Sequence, residues 1–596
     1  MPDQYDAGAP RPWCGRMWKN RQFFGFLQGI VLLYTCYFWR FIPYYEKANE
    51  MLGIVLLCAS FWMFEVVPIY ATALAPMVLI PLFKITSADV IIHAYWDKVS
   101  MLFLGTFLVD VAMEQAGLPR RIALYMLLKV GGRKPSVLLA VLMAVTWVLS
   151  MVCNSIATTL MISPLVVCLM NTMEESDLDN STSSEQDGVD ESEYVPRGAR
   201  SLQEVADAFM LGTSYAATCG GLATLIGTPA NLMFAGSPIV NGTVSFSEWF
   251  MYAIPLSTGL VVVAYVILAL RYTSRNQVTI SKHVLEEEHQ KLLNEVGPLS
   301  RDEVLVGVVQ IVLVAVLFMR RPIGEEFAEN PKGVDLMNGG CLAVSAGLLI
   351  FFIPSKVNRG QAIVSWRHVQ EKVQWGWLLM IGGGRALGSG FAESGLDMAL
   401  AKLLTDLLRG RHPYIYSFLI TVVTAAVSHV LTPVVAAAVV FPILACASVS
   451  AVVNPLRFLL PAAVGCSFSF VLPLSSAPNI ITFAKSRELY RPLRTKDFIS
   501  NGLPMLLGAI ALNTMLSVHL GSWVFDVGSP YPRWACEGNE ATACKWMSVP
   551  GMVQGQFVQS QACMYQDETN DTMCRLWNGT SLPVLVNESD PREWFR

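Results

Sequence analysis

Residues 136–170 read SVLLAVLMAVTWVLSMVCNSIATTLMISPLVVCLM, and residues 414–450 read YIYSFLITVVTAAVSHVLTPVVAAAVVFPILACASVS. Each stretch is long enough for one apolar helix into a bilayer and a second helix back, because roughly 20 residues cross the hydrocarbon core. The first is interrupted near its middle by Asn154 and Ser155, and the second by Thr432 and Pro433. Both patterns predict re-entrant hairpins. Irregular backbone at membrane depth is tolerated only where it is buried in protein or lines a cavity.

The rest of the chain agrees with a membrane protein. Of its 596 residues 53% are hydrophobic and 15% are charged, and the net charge is -4. That balance excludes an ordinary soluble domain and offers no basic surface for nucleic acid. We predict an all-α polytopic protein of about eleven spans plus two hairpins. The spans lie near residues 23–43, 51–66, 69–83, 100–115, 207–226, 250–270, 302–319, 336–353, 373–390, 455–472 and 500–526.

The charge of the loops predicts the orientation. Basic residues precede the first span and recur in the loops predicted on the same face of the membrane as the N-terminus. This charge pattern places residues 1–22 and the linker 271–301 in the cytosol. An odd number of spans then puts the tail, 527–596, outside a plasma membrane. The serine-rich acidic segment 171–206 has too few apolar residues for a core, and we expect a disordered cytosolic loop.

The composition of the tail independently favours an extracellular face. It combines four candidate disulfide cysteines with three glycosylation sequons, a pairing typical of oxidising compartments. The loop after the fifth span holds a further sequon and lies on the same side. The cysteines are Cys536, Cys544, Cys563 and Cys574, and the acceptor asparagines are Asn241, Asn570, Asn578 and Asn587.

The chain also matches itself at an offset of 278 residues. Gly117 corresponds to Gly395 and Pro135 to Pro413. Asn231 corresponds to Asn479 at a shorter offset, because the second half has no counterpart of the acidic segment 171–206. The two halves, 23–270 and 302–526, then have opposite orientations. Inverted repeats with broken helices at the midplane are the architecture of secondary transporters. We therefore favour transport over a duplication without functional meaning.

The polar breaks suit an anion. Helix N-termini and hydroxyl or amide donors hold negative charge without a fixed cation, and carbonyl oxygens freed at the same breaks suit sodium. The breaks hold Asn154-Ser155-Ile156-Ala157-Thr158, Gly227-Thr228-Pro229-Ala230-Asn231, Thr432-Pro433-Val434 and Ser475-Ser476-Ala477-Pro478-Asn479.

These motifs resemble those of the divalent anion/sodium symporter family, whose members carry dicarboxylates, citrate or sulfate. The resemblance covers most of residues 20–530 and includes the elements ending in Asn231 and Asn479, Gly382-Gly383-Gly384 and Phe441-Pro442. It departs at the tandem Ser-Asn-Thr motifs. Asn154-Ser155-Ile156 replaces the first, and Thr432-Pro433-Val434 replaces the second. The second sodium site is thereby weakened, because Pro433 and Val434 have no side-chain oxygen.

The resemblance implies an elevator-like motion of the hairpin units within a homodimer, in contact with lipid, and no catalytic residues. Sodium ions are the implied coupling ions, with no other cofactor. The implied substrate-binding residues are Asn154, Ser155, Thr158, Thr228, Thr432, Ser476, Asn479 and Arg385, and the implied sodium-binding residues are Ser155, Gly227, Asn231 and Asn479.

Two ionisable residues at membrane depth each have two interpretations. Arg385 would neutralise the anion, or it would extend to an interface or pair with Glu393. His429 would couple transport to protons, or it would be a neutral, hydrogen-bonded packing residue. Proton-linked or uncoupled transport, and a sensor that binds without transporting, are therefore the alternatives to sodium coupling. A channel and an intramembrane enzyme are disfavoured, because the two half-sites differ and no catalytic motif occurs.

Overall fold

The computed structural model describes residues 12–527 and 548–577 with a set of gaps. The gaps are 43–45, 131–133, 183–196, 238–239, 241–243, most of 274–298, 328–337, 356–361, 374, 409–410, 451–452, 490, 554–555 and 567–571. Within the described ranges, nine helices are long and apolar enough to cross a bilayer. This helical part fits a polytopic membrane protein.

The first half of the chain forms twelve α-helices, and a short π-helical turn, Ala269–Thr273, extends the last of them. In chain order they are α1 (Pro12–Trp39), α2 (Glu46–Phe64), α3 (Ile69–Thr72), α4 (Ala75–Leu82), α5 (Ala88–Tyr95), α6 (Lys98–Ala116), α7 (Leu118–Val130), α8 (Pro135–Val152), α9 (Ser155–Thr182), α10 (Arg197–Leu222), α11 (Pro229–Ala235) and α12 (Phe246–Leu268).

The second half forms ten α-helices and a short 3₁₀ turn, Ser486–Glu488. The helices are α13 (Arg301–Phe327), α14 (Gly339–Phe352), α15 (Trp366–Lys372), α16 (Trp375–Ser394), α17 (Leu396–Leu408), α18 (Pro413–Val430), α19 (Pro433–Ser450), α20 (Leu456–Gly465), α21 (Ala477–Lys485) and α22 (Thr495–Phe525).

The two predicted hairpins are present and have the same local geometry. Their first helices, α8 and α18, each have 18 residues and begin at a proline, where the missing N–H is not needed. At the ends of these helices the Cys153 N–H donates to the Leu149 carbonyl and the Leu431 N–H donates to the Val427 carbonyl, both at 2.8 Å. Extended backbone at Cys153 and Leu431 then turns the chain toward the second helix of each hairpin.

The acidic segment 171–206 is shorter as a loop than we predicted. α9 continues to Thr182 and α10 begins at Arg197, so helix covers both flanks of the segment. A helix satisfies its backbone hydrogen bonds internally, and it therefore needs no apolar surroundings to continue past the membrane. Residues 183–196 lie outside the described residues.

The tail contains a small antiparallel sheet, which the all-helical prediction for the chain did not include. Its strands are β1 (Ser548–Val553), β2 (Gln556–Gln566) and β3 (Thr572–Trp577), in the order β1-β2-β3. In the β2–β3 register Cys574 is opposite Met564, next to Cys563. The other two candidate disulfide cysteines and all four candidate glycosylation sites lie outside the described residues; they are Cys536, Cys544, Asn241, Asn570, Asn578 and Asn587.

The outer helices expose the large apolar side chains that a lipid-facing surface requires. In α1 Phe38 and Trp39 are each 76% exposed, and in α22 Trp523 is 72% exposed. Helices nearer the centre are buried on most sides; α10 is an example, with a continuous buried run through Leu222. The broken helices α10 and α11 therefore lie in the interior, whereas α18 of the second hairpin also exposes large apolar side chains, such as Val423 at 55%.

Candidate functional site

The first hairpin tip is held by the side chain of Asn154. Its Oδ1 accepts hydrogen bonds from the N–H groups of Ile156 at 2.8 Å and Ala157 at 2.9 Å, the arrangement of an N-cap. This cap starts α9 at Ser155 with its N-terminus at the tip. The amide of Asn154 is thus used to shape the tip.

The break between α10 and α11 packs against this tip. The Ser155 N–H donates to the Gly227 carbonyl at 3.0 Å, which joins the two segments directly. Thr228 caps α11, because its hydroxyl accepts from the Asn231 N–H at 3.3 Å. Asn231 Nδ2 donates to three carbonyls of the break, those of Gly221, Leu222 and Thr224.

The second half repeats this arrangement at the break between α20 and α21. Ser476 caps α21, with its hydroxyl accepting from the Asn479 N–H at 3.4 Å. Asn479 Nδ2 donates to the carbonyls of Ser469 at 2.8 Å and Leu472 at 2.9 Å. These two acceptors lie ten and seven residues before the asparagine, as Gly221 and Thr224 do before Asn231. The two broken helices are therefore locally equivalent.

Both tips and both breaks border one cavity of about 40 Å³. Its lining contains six hydroxyl side chains, one indole and no ionisable group. At roughly 10–15 Å³ for each water, the cavity has room for a few water molecules. The lining residues are Ser155, Ile156, Thr218, Thr228, Pro229, Ala230, Trp377, Pro433, Val434, Ser467, Ser469, Ser476, Ala477 and Pro478.

A larger, open cleft lies away from this cavity. It measures about 520 Å³ and lies beside α1, α2 and α4, where Tyr37, Lys47 and Phe83 contribute to its lining. None of the residues predicted for the site borders it, and it carries no hairpin tip. Size alone therefore does not identify the site.

The structure brings together some of the predicted residues at the cavity and places others behind it. Ser155, Thr228 and Ser476 line the cavity. The hydroxyl oxygens of Thr158 and Thr432 are buried and have no hydrogen-bond partner among the described residues. Asn154, Asn231 and Asn479 hold the backbone, as described above.

Arg385 lies outside the cavity lining. Its Nη2 forms an ion pair with Asp97 at 2.8 Å, and its Nη1 donates to the Gly236 carbonyl at 2.9 Å. The predicted pairing with Glu393 is therefore not the one that the structure shows. Arg385 links α16 to the end of α11 and to the residue before α6.

His429 has the hydrogen bonds of a packing residue. The Val471 N–H donates to its Nε2 at 3.2 Å, so Nε2 has no proton and Nδ1 donates to the Ala425 carbonyl at 2.7 Å. Both ring nitrogens are used by backbone groups, which describes a neutral imidazole. Of the two interpretations, this geometry favours the neutral packing residue.

Sequence reasoning missed several lining residues, namely Thr218, Trp377, Ser467 and Ser469. Thr218 and Trp377 lie inside the helices α10 and α16, and Ser467 and Ser469 lie in the apolar first part of the break after α20. The available pattern was the spacing of Ser467 and Ser469, two residues apart, just after α20 ends at Gly465. The hydroxyl oxygens of both serines are buried without a hydrogen-bond partner in the described part of the chain.

The predicted sodium ligands differ between the halves. Asn231 Oδ1 is buried and accepts no hydrogen bond from any described residue. Asn479 Oδ1 accepts from the Ser214 hydroxyl at 2.5 Å. A cation needs free oxygen lone pairs, so the amide oxygen of the first half offers two, whereas one of those on Asn479 Oδ1 is already used.

Comparison with known proteins gives one family and several relatives. The family model described as the sodium:sulfate symporter transmembrane region matches residues 30–527. A Na(+)/citrate cotransporter from Rattus norvegicus is 30% identical over 549 residues, covering 82% of this chain and 93% of the relative. The sodium-dependent dicarboxylate transporter SdcS from Staphylococcus aureus is 28% identical over 516 residues. The match covers 86% of this chain and 94% of the relative. A solved structure of the Alcanivorax borkumensis YdaH transporter covers 81% of this chain and 99% of its own, with a TM-score of 0.45 and 14% identity.

Proposed function

The chain belongs to the sodium:sulfate symporter family, and from that premise we propose that it carries small divalent anions across the plasma membrane by sodium-coupled alternating access. The relatives named above are sodium-coupled carriers of citrate and of dicarboxylates. The observation that carries the proposal is the single cavity on which both hairpin tips and both broken helices converge.

The convergence supplies positive potential without a cationic side chain. α9, α19 and α21, with 28, 18 and 9 residues, all begin at residues on or beside the cavity lining. Each helix N-terminus is equivalent to about half an elementary charge, so together they supply about +1.5. α11 has seven residues and adds less. This potential approaches the charge of a divalent anion.

The hydroxyl groups complete the recognition of the anion. Thr228 and Ser476 use their lone pairs to cap helices, so their hydroxyl protons are free to point at a ligand. Ser467 and Ser469 have no internal partner among the described residues. Neutral donors held in place favour an anion over a cation.

The size of the cavity supports movement during the cycle. A citrate or a dicarboxylate is larger than the few waters that about 40 Å³ admits. The hairpin units must therefore move apart before such a substrate enters. An elevator-like motion of these units within a homodimer accounts for this need, and the inverted halves would open the cavity to each side in turn.

The remaining topology belongs to the same proposal. We infer eleven spans, with a cytosolic N-terminus and an extracellular, glycosylated tail. The basic loops and the sequons of the tail support this orientation, and the matched helix–break–helix segments and the equal φ of +72° at Gly117 and Gly395, 278 residues apart, support a duplication. Duplicated halves explain both.

Uptake into proteoliposomes tests the function. Labelled succinate, citrate and sulfate would be offered with an inward sodium gradient and with choline in its place. We expect saturable uptake of at least one anion that collapses without sodium, and Ser476→Ala should weaken it. Ser522→Ala removes an exposed hydroxyl far along α22 and is the matched control. Uptake that ignores sodium but follows a pH gradient would favour the proton-linked carrier, and substrate binding without flux would favour the sensor.

A further inference from the structure

α6 contains a buried carboxylate that the proposed site does not use. Asp110 lies near the C-terminal end of this helix and is 3% exposed. Both of its carboxylate oxygens are buried and have no hydrogen-bond partner among the described residues. An acidic side chain inside a membrane helix is costly and is by default a functional candidate.

The other ionisable groups around α6 already have partners. Glu114, one turn along the same helix, pairs with Lys372 at 2.8 Å. On α13, Glu303 pairs with Arg121 at 2.7 Å. The Ser355 hydroxyl donates to Asp302 at 2.6 Å. α14, which packs along α6, has no basic residue. These side chains therefore leave the negative charge of Asp110 without a cation.

Asp110 faces the first hairpin tip. Its carboxylate lies within electrostatic reach of the backbone N–H of Asn154 and of Cys153, the two residues that join α8 to α9, but forms no hydrogen bond there of normal distance and angle. On the neighbouring residue, the Val152 carbonyl accepts a hydrogen bond from Gln310 Nε2. Gln310 is 1% exposed, and its Oε1 is also buried without a partner in the described residues. Buried oxygens of Asp110 and Gln310 that lack a hydrogen bond within the described residues therefore lie beside the same tip.

We propose that Asp110 binds a sodium ion at the first hairpin tip, with Gln310 Oε1 as a second oxygen ligand. A hard cation prefers carboxylate and amide oxygens, and it would neutralise the only charge here that the described side chains leave unpaired. Because Pro433 and Val434 have no side-chain oxygen and one lone pair of Asn479 Oδ1 accepts from Ser214, this ion compensates for the weakened second site. The inference rests on the proposed sodium coupling and assigns one of its ions.

Equilibrium binding of ²²Na⁺ to the purified full-length protein, without substrate, tests the assignment. Asp110→Asn keeps the shape and removes the charge, and we expect it to bind one sodium ion fewer than wild type. Gln310→Leu should lower the affinity for that sodium ion at least tenfold. Glu114→Gln removes the same charge from a paired carboxylate on the same helix, and its sodium stoichiometry should equal that of wild type. Size-exclusion profiles would establish that all variants are folded.

The possible outcomes separate this inference from the transport function. Equal sodium stoichiometry in Asp110→Asn and wild type overturns the assignment, while sodium-driven uptake measured in parallel would leave the function standing. If wild type binds no sodium, the assignment fails, and pH-driven uptake would show that transport itself survives. If Asp110→Asn instead changes only the pH dependence of uptake, the group carries a proton and the sodium assignment is wrong.

Discussion

Replacing Gly227 with alanine should damage the site. The added Cβ would lie 2.3 Å from the Gly221 carbonyl oxygen and 2.7 Å from the Gly221 Cα. Ordinary carbon contacts are about 3.5–4.0 Å, and both obstacles are backbone atoms that cannot rotate away. The break between α10 and α11 must therefore open, which also displaces Ser155, whose N–H donates to the Gly227 carbonyl.

The expected loss follows from this overlap. Overpacking of a tight core costs about 1–3 kcal/mol, and a backbone obstacle belongs at the upper end, about 2–3 kcal/mol. If that strain opposes the binding conformation, substrate affinity falls roughly 30- to 150-fold. Uptake kinetics in proteoliposomes would report the affinity, and thermal unfolding in detergent would report the stability.

A matched glycine provides the control. Gly388→Ala places its Cβ 3.4 Å from Pro442 Cγ, an ordinary contact between α16 and α19. Alanine there should be neutral or should stabilise the helix by up to about 1 kcal/mol. If Gly227→Ala transported and unfolded as Gly388→Ala does, the close approach of Gly221 and Gly227 would be unimportant, and our reasoning about the break would be refuted.

Three further predictions concern groups of different kinds. Ser469→Ala should raise stability by about 1 kcal/mol, because it removes a buried hydroxyl without a partner, and should raise the KM for the anion; an unchanged KM would remove Ser469 from the binding site. Glu303→Gln should cost about 3 kcal/mol in thermal or denaturant unfolding, since it leaves the guanidinium of Arg121 buried without its charge partner, and a loss under 1 kcal/mol would contradict this. Arg385→Asp should lower the thermal stability, and adding Asp97→Arg should restore part of that loss, because the ion pair is rebuilt with its charges exchanged. If Arg385→Gln changes the KM for the anion without changing the stability, Arg385 belongs to the substrate site instead.

The hairpins and caps could be predicted from sequence because their causes are local. A proline after a hydroxyl residue marks a helix start, and Thr228-Pro229 and Ser476-Ala477-Pro478 become N-caps as this pattern indicates. The partner of Arg385 could not be predicted in this way. Asp97 is 288 residues away in the chain, and only the packing of α16 against the start of α6 brings the two together.

Asp110 shows a different limit. The sequence shows Asp110 and Glu114 in one apolar helix, yet the environment of Asp110 depends on which residues pair with the neighbouring charges. Only the structure shows that Glu114, Asp302 and Glu303 have partners and that Asp110 has none among the described residues. Composition gives the presence of a charge, whereas packing decides whether that charge is neutralised.

The same distinction explains why the two halves of the site need not do the same work. Asn231 and Asn479 hold their breaks through matching backbone acceptors, as expected of a scaffold that a duplication has preserved. Their amide oxygens differ, because only that of Asn479 accepts a hydrogen bond, from Ser214, within the described residues. The first half thus offers more free lone pairs to a cation than the second. A carrier with such halves would bind its anion between both but take its coupling ions mainly from the first, which is where Asp110 also lies.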